Sequence, residues 1–183
     1  MIWLTSDWHF CHNKSYIYEP RGFNNIWDMN NTIIEKYNSV VNENDEIYCL
    51  GDCLLNDLEE GIRCIKNLKG QIHIIKGNHC TDTKVEAYKK CYNVVEVCDI
   101  KILKYSKRKT FYLSHYPTIV SNYGEEGRFF WNLSGHTHFT SKFYNDINKI
   151  YNVSVDAHNC YPVSIEQIIS DINKREEELK GEK

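Results

Sequence analysis

Apolar positions in the first half of the chain alternate between two rhythms. Ile2 to Thr5 is a short apolar run, the pattern of a buried strand, and it ends in the polar cluster Thr5-Ser6-Asp7-Trp8-His9. After a polar loop, Ile26, Met29, Ile33, Ile34 and Tyr37 recur at helical spacing behind Asn25, a residue suited to capping, and predict a helix to about Val41. Glu46 to Leu50 predicts a second strand that delivers Gly51-Asp52 at its end. From Asp57 onward Leu58, Ile62, Ile65 and Leu68 form one helical face, stopped by Gly70. Ile72 to Lys76 predicts a third strand, ending in Gly77-Asn78-His79, and Val85 to Tyr92 predicts a short helix with a poorer apolar pattern.

The period then changes. Val94 to Val97, Ile100 to Lys104 and Thr110 to Ser114 are strand-like, the last two joined by the polar turn Ser106 to Lys109. Trp131 to Ser134 and Ile150 to Val155 follow in the same style. Ser164-Ile165-Glu166-Gln167 has the form of a capping box, opening a last helix with Ile165, Ile168, Ile169 and Ile172 on one face. Alternating strands and helices imply parallel strands with helices outside, and the strand-rich second half implies a second sheet packed against the first. The class is therefore α/β. No repeat, linker or low-complexity segment divides the chain, so one domain is expected over 1–173, with a charged tail, 174–183, that frays as a solvated helix end.

Composition narrows the function classes. With 183 residues, 42% of them hydrophobic and 13% aromatic, there is enough material for one domain with a sizeable core. Net charge is −3 with Lys and Arg scattered, which argues against long duplex nucleic acid as a partner. The opening Met1 to Thr5 is too short for a signal segment, and no apolar run approaches the ~18 residues of a membrane span, so a cytoplasmic location is expected. The eight cysteines include no Cys-x-x-Cys pair and several sit in apolar stretches, which reads as reduced thiols.

Five polar clusters follow strand-like runs: Asp7 and His9; Gly51-Asp52; Gly77-Asn78-His79; Ser114-His115; and Gly135-His136-Thr137-His138. Each alone is compatible with a turn and a surface histidine, but together they hold five of the eight histidines, beside Asp and Asn. In open α/β sheets ligands gather at the carboxyl ends of strands, and this is the composition of a metal site. In an extended backbone, Asp7 and His9 would face one ion while Trp8 points away. Asp52 could bridge two cations, Asn78 offers a neutral oxygen, and His115, His136 and His138 add imidazoles. Seven ligands are too many for one ion and suit two. Two carboxylates against two dications leave a formal charge of about +2, which suits a phosphoester oxyanion, and a water between the ions would be acidified into a nucleophile. His79, beside Asn78, is placed to give a proton to a leaving oxygen.

In this order the clusters resemble the calcineurin-like metallophosphoesterases, whose pattern is Asp-x-His, Gly-Asp, Gly-Asn-His, a lone His and Gly-His-x-His. Ser6-Asp7-Trp8-His9-Phe10-Cys11-His12-Asn13 and the stretch Val155 to Ser164 are similar to the small bacterial and phage-type members, and the similarity spans Met1 to about Ile172. The resemblance implies a four-layer αββα sandwich, two mixed β-sheets flanked by helices. It implies Asp7, His9, Asp52 and His138 on one metal, Asp52, Asn78, His115 and His136 on the other, and His79 as the catalytic histidine. It also implies two divalent transition-metal ions: manganese, with zinc, iron or nickel as alternatives. The chain departs from the family at Cys80, where an acidic residue usually follows Gly-Asn-His, which leaves the tautomer of His79 less firmly fixed.

Other positions are weaker. His12 and Arg21, in the loop after the first cluster, are candidates to touch substrate, against the plain reading of a solvated loop. Asp156 and His158 are candidates to stand behind the ligands and orient them, against a plain turn. His73, inside an apolar run, reads as a core or edge histidine, and the loop from Ser121 to Arg128 as a connection that could border a cleft. The expected function is a dinuclear metal-dependent phosphoesterase acting on phosphomonoesters or phosphodiesters. The alternatives are a non-catalytic metal-binding scaffold of the same fold and a nuclease or cyclic-nucleotide phosphodiesterase acting on short substrates.

Overall fold

A computed structural model describes residues 1–107, 109–121, 129–144 and 149–181. The expected loop over 122–128 lies outside the described residues. The first sheet has the order β10-β1-β2-β3-β4, built from Val163–Ser164 (β10), Ile2–Thr5 (β1), Glu46–Cys49 (β2), Gln71–Ile75 (β3) and Val94–Cys98 (β4). Strands β1 to β4 are parallel and β10 is antiparallel, so the sheet is mixed. The connections carry helices α2 (Ile26–Val40), α3 (Leu58–Lys66) and α4 (Asp82–Tyr88), and a single turn, α1 (Ser15–Tyr18), lies ahead of α2. The second sheet runs β5-β6-β8-β7, from Lys101–Ser106 (β5), Lys109–Leu113 (β6), Phe129–Ser134 (β8) and Val120–Ser121 (β7), with Ile150–Asn152 (β9) also pairing β8. It too is mixed, since β6, β8 and β9 are parallel while β5 and β7 are antiparallel to their neighbours.

Alternation along the first sheet sorts its side chains into two cores. Ile47 and Cys49 of β2 and Ile72 and Ile74 of β3 join Met29, Ile33 and Tyr37 of α2 and Cys64 and Ile65 of α3. Tyr48, Leu50 and Ile75 join Leu113, Leu133 and Tyr151, together with Ile165, Ile168 and Ile172 of α5 (Ile165–Gly181). Burial on both faces is why β2 and β3 read as continuous apolar runs.

Strand registers bring the polar clusters to one edge. Thr5 pairs with Cys49 and Cys49 with Ile74, while Leu113 pairs with Leu133 and Leu133 with Tyr151. The ends of β1, β2 and β3 therefore align, as do those of β6, β8 and β9. The sheets meet near this edge through a bridge between Ser6 and Ser154 and a hydrogen bond from the Val155 amide to the Ser6 carbonyl, 3.1 Å.

Several boundaries differ from expectation. Helix α4 starts at Asp82, because Thr81 accepts the Lys84 amide at 3.4 Å and caps it three residues before the apolar pattern begins. The strand expected to reach Val155 ends at Asn152, whose side-chain amide turns to the carbonyls of Phe139 and Ser141 at 2.8 and 3.0 Å. Ser164 does accept the Gln167 amide at 3.1 Å, but the Gln167 side chain bonds Asp171, so the capping box closes on one side only. Helix α5 continues through the expected boundary at 173 to Gly181, and Glu176 accepts the Trp131 indole N–H at 3.1 Å. All eight cysteines are free. Among the described residues no helix is long and apolar enough to cross a membrane.

Candidate metal centre

The loop after β1 is held against the loop after β2. The amides of Asp7, His9 and Phe10 donate to the carbonyls of Gly51, Asp52 and Cys53 at 3.1, 3.0 and 3.0 Å. Asp7 and His9 do not lie on an extended strand, as the i, i+2 reading required. Their φ angles are +58° and +50°, and Asp52, His136 and His138 share this left-handed region at +49°, +75° and +55°. Such conformations are uncommon but least costly for Asp, Asn and His, and they cluster where surrounding structure over-determines them for function. Two glycines allow the close approach. A Cβ on Gly77 would strike the Asp52 carboxylate, and one on Gly135 would strike Asp7 Oδ2 and the Ser6 hydroxyl.

The turn positions bring all seven expected ligands into one cluster. His9 Nε2 lies 3.1 Å from His138 Nε2 and 3.9 Å from both Asp7 Oδ1 and Asp52 Oδ2. His115 Nε2 lies 3.4 Å from Asp52 Oδ2, 2.8 Å from Asn78 Oδ1 and 3.1 Å from His136 Nδ1, which is itself 3.1 Å from Asn78 Oδ1. Ligand atoms bound to one ion at ~2.1 Å are separated by ~3.0–3.4 Å along the edges of the polyhedron, so most of these spacings fit coordination to a shared cation. Two groups stand within 4.8 Å internally: Asp7, His9 and His138; and Asp7, Asp52 and His115. Asp7 belongs to both groups, whereas Asp52, the expected bridge, belongs to the second and lies 3.9 Å from His9 of the first.

Outer atoms of several candidate ligands are already engaged. His115 Nδ1 faces the Leu50 carbonyl at 2.8 Å and His138 Nδ1 faces Asp156 Oδ2 at 3.0 Å, so each can donate there and turn an unprotonated Nε2 inward. Asp7 Oδ2 accepts from the Ser6 hydroxyl at 2.6 Å and from the His136 amide at 3.0 Å. Asp7 Oδ1 is buried with no hydrogen-bond partner. Burial pushes the Asp7 carboxyl upward, more than His138, His115 and Ser6 together lower it. Burial opposes ionisation of Asp52 as well, but the His115 hydrogen bond and the nearby His115 and His9 bring it down to about 2. His9 is held well below its ordinary value by burial and by the neighbouring His138 and Arg21, which keeps it neutral and able to ligate.

Arg21, expected to face substrate, lies behind the ligands instead. Its guanidinium grips Asp156 at 2.8 and 2.9 Å and donates to the carbonyls of Asp7 and Trp8 at 2.9 and 3.3 Å, with its side chain only 3% exposed. Asp156 thus orients His138, and the His138 and Arg21 contacts overcome burial to bring its pKa to about 2. His158 does not join it, since its Nε2 faces the Asn152 carbonyl at 2.8 Å and its ring stacks on Tyr151. His12 is buried, with Nδ1 3.3 Å from His9 Nδ1, so it stands behind a ligand rather than at an open face. His79 is half-buried. Its amide donates to Asp52 Oδ1 at 3.1 Å, its carbonyl accepts from Lys84 Nζ at 2.8 Å, and its ring lies 6.0 Å from that of His9. Cys80 Sγ accepts the Gly77 amide at 3.3 Å, so Cys80 braces the turn that carries His79.

Two supports had no signal in the sequence. Tyr144 donates to the Gly135 carbonyl at 2.5 Å and accepts from Thr137 at 3.1 Å, and Lys84 also donates to the Leu54 carbonyl at 3.0 Å, tying the His79 turn to the loop after Asp52. His73 is not near the site: it pairs with Glu96 at 2.9 Å across the first sheet.

No known protein-family model matches the chain. The uncharacterized protein MJ1445 of Methanocaldococcus jannaschii is 32% identical over 179 residues, which span 94% of this chain and 92% of that protein. Among solved structures, the crystal structure of AQ665 from Aquifex aeolicus, a protein of unknown function, is similar with a TM-score of 0.70 at 25% identity, over 93% of this chain and 98% of that one.

Proposed function

We propose, for a chain that belongs to the family of the Methanocaldococcus jannaschii protein MJ1445, a metal-dependent phosphoesterase with two divalent cations held by Asp7, His9, Asp52, Asn78, His115, His136 and His138. One observation carries the reading. The buried Asp7 Oδ1 has no hydrogen-bond partner, and it stands among imidazole and carboxylate atoms whose outer faces are engaged elsewhere. A buried carboxylate oxygen left this way is costly unless a cation completes it. The same reading takes the two mixed sheets as the inner layers of a four-layer αββα sandwich, supported by separate cores on the two faces of the first sheet.

Catalysis rather than a closed structural site is supported by exposure. Asn78 is exposed and His79, His136 and His138 are half-exposed, so one side of the cluster is open to a ligand, whereas structural metal sites are closed. Bound divalent cations, with manganese favoured over zinc, iron or nickel, would lower the pKa of a water and offset charge on the phosphoryl oxygens. The residues divide the remaining work. Asp52 Oδ1 accepts the His79 amide, so this proposed ligand also positions the backbone of the proton-donating histidine. Arg21 and Asp156 fix His138, and His12 faces the outer nitrogen of His9. His79, with its backbone held at both amide and carbonyl, gives a proton to the departing oxygen.

The test is a profile of the manganese-loaded protein against phosphomonoesters, phosphodiesters, cyclic nucleotides and phosphopeptides, before and after chelation. Hydrolysis that chelation abolishes and manganese restores is the expected result. Two bound ions per chain with no turnover on any ester would instead identify a scaffold.

A further inference from the structure

Tyr116, directly after the ligand His115, is half exposed at 49%, and its ring stands edge-on to those of His136 and His115 at 4.6 and 5.2 Å. Its backbone is fixed. The Tyr116 carbonyl accepts from the hydroxyls of Ser114 and Thr118 at 2.8 and 3.0 Å, and Pro117 follows it. A groove of about 400 Å³ opens beside this ring, from Asn78 and His115 past Tyr112 and Thr118 to Lys76 and Asp99. Its two charged side chains neutralise each other, with Lys76 Nζ 2.6 Å from Asp99 Oδ1. The groove therefore offers an aromatic platform and hydroxyls but no spare positive charge, which suits a neutral planar group and not a polyphosphate or an acidic peptide.

Gly77, Asn78 and Cys80 border this groove but the His79 side chain does not line it; its ring lies 6.0 Å from that of His9, and beyond His9 stands His12 with the exposed Tyr16 edge-on to it at 5.8 Å. A departing oxygen protonated by His79 belongs on that side. The Tyr116 groove is left for the substituent that stays on phosphorus, which only a diester has.

Resting on the phosphoesterase reading, we infer that the substrate is a phosphodiester whose retained substituent is a nucleoside, its base stacked on Tyr116 in the groove beside Asn78 and His115. Stacking tolerates any base and needs no basic field, in keeping with the scattered charge of this chain.

The experiment compares kcat/KM of the manganese-loaded protein for two diesters with the same nitrophenolate leaving group, thymidine 5′-(4-nitrophenyl phosphate) and methyl 4-nitrophenyl phosphate. The expected ratio is about tenfold or more in favour of the nucleoside, falling to near one in Tyr116→Ala and kept in Tyr116→Phe. Because both substrates meet the same metals and leaving group, any loss of metal in a variant cancels in the ratio. A ratio near one in the wild type, or one unchanged by Tyr116→Ala, overturns the inference. If neither diester turns over with two ions bound, the phosphoesterase reading fails and the groove is tested by calorimetry with thymidine 5′-monophosphate. Binding weakened at least fivefold by Tyr116→Ala then upholds the nucleoside subsite, and no binding, or binding unaffected by the substitution, removes it.

Discussion

Asp7 and Asp156 show what one carboxylate does when its surroundings differ. Asp156 has Arg21 on one side and His138 on the other and titrates near 2, whereas Asp7, with one oxygen unpartnered, is pushed up by burial. Because the folded pKa of Asp156 lies below its ordinary 3.8, its contribution to stability is fully present above about pH 4 and is lost as pH falls toward 2. Denaturant unfolding of metal-free protein at pH 6 and pH 3 should reveal a decrease to which Asp156 contributes about 1 kcal/mol, and Asp156→Asn should show a shallower pH dependence; equal slopes in both proteins would mean that the Arg21 contact carries no ionic share. His79 makes a different demand. As a proton donor its loss matters in proportion to the leaving group, so His79→Ala should slow alkyl or nucleoside leaving groups by about 10²–10⁴-fold and nitrophenolate far less. A similar loss across a leaving-group series would assign His79 to binding the phosphoryl group instead. The clustering of the candidate ligands could be read because each follows a strand-like run. The reversal of Arg21 could not, since its partner Asp156 is 135 positions away, and nothing in the sequence around Tyr144 or Lys84 signals the turns they brace.

At the scale of elements, the long helices and central strands were legible from periodicity because each buries a full apolar face, as Ile33 and Tyr37 of α2 do. The short pieces were not. Helix α1 has four residues and β10 two, fewer than a period needs to show itself, and α4 begins where its cap lies rather than where its apolar residues start. The geometry argued for Asp7 and His9 failed for a related reason: the left-handed turns that aim them are fixed by hydrogen bonds to the loop after β2, a contact absent from any local window. Lys84, together with Asp52, ties the turn bearing His79 to the rest, so Lys84→Met should lower turnover about tenfold while leaving bound metal unchanged, given a net hydrogen-bond contribution of ~0.5–1.5 kcal/mol. Loss of metal in that variant would show that the clamp holds the ligands rather than the histidine. The end of α5 is likewise fastened, and a chain ending at Asn173 should unfold about 1 kcal/mol more readily once the Trp131–Glu176 bond is gone. Unchanged denaturant stability would return residues 174–181 to a solvated tail.

Across the whole molecule, the two sheets contribute different candidate ligands to one edge. Asp7, His9, Asp52 and Asn78 come from the first, and His115, His136 and His138 follow β6 and β8 of the second. Neither sheet holds the complete proposed set, so cations bound as proposed would couple to the docking of the sheets, and metal should raise the unfolding temperature of the wild type more than that of Asp52→Asn. The most direct measurement is a titration of chelator-stripped protein with manganese, followed by hydrolysis of bis(4-nitrophenyl) phosphate. Activity absent in stripped protein, rising with metal and saturating at two equivalents per chain, is the predicted result. Full occupancy without hydrolysis, or saturation at a single equivalent, would contradict a two-cation phosphoesterase.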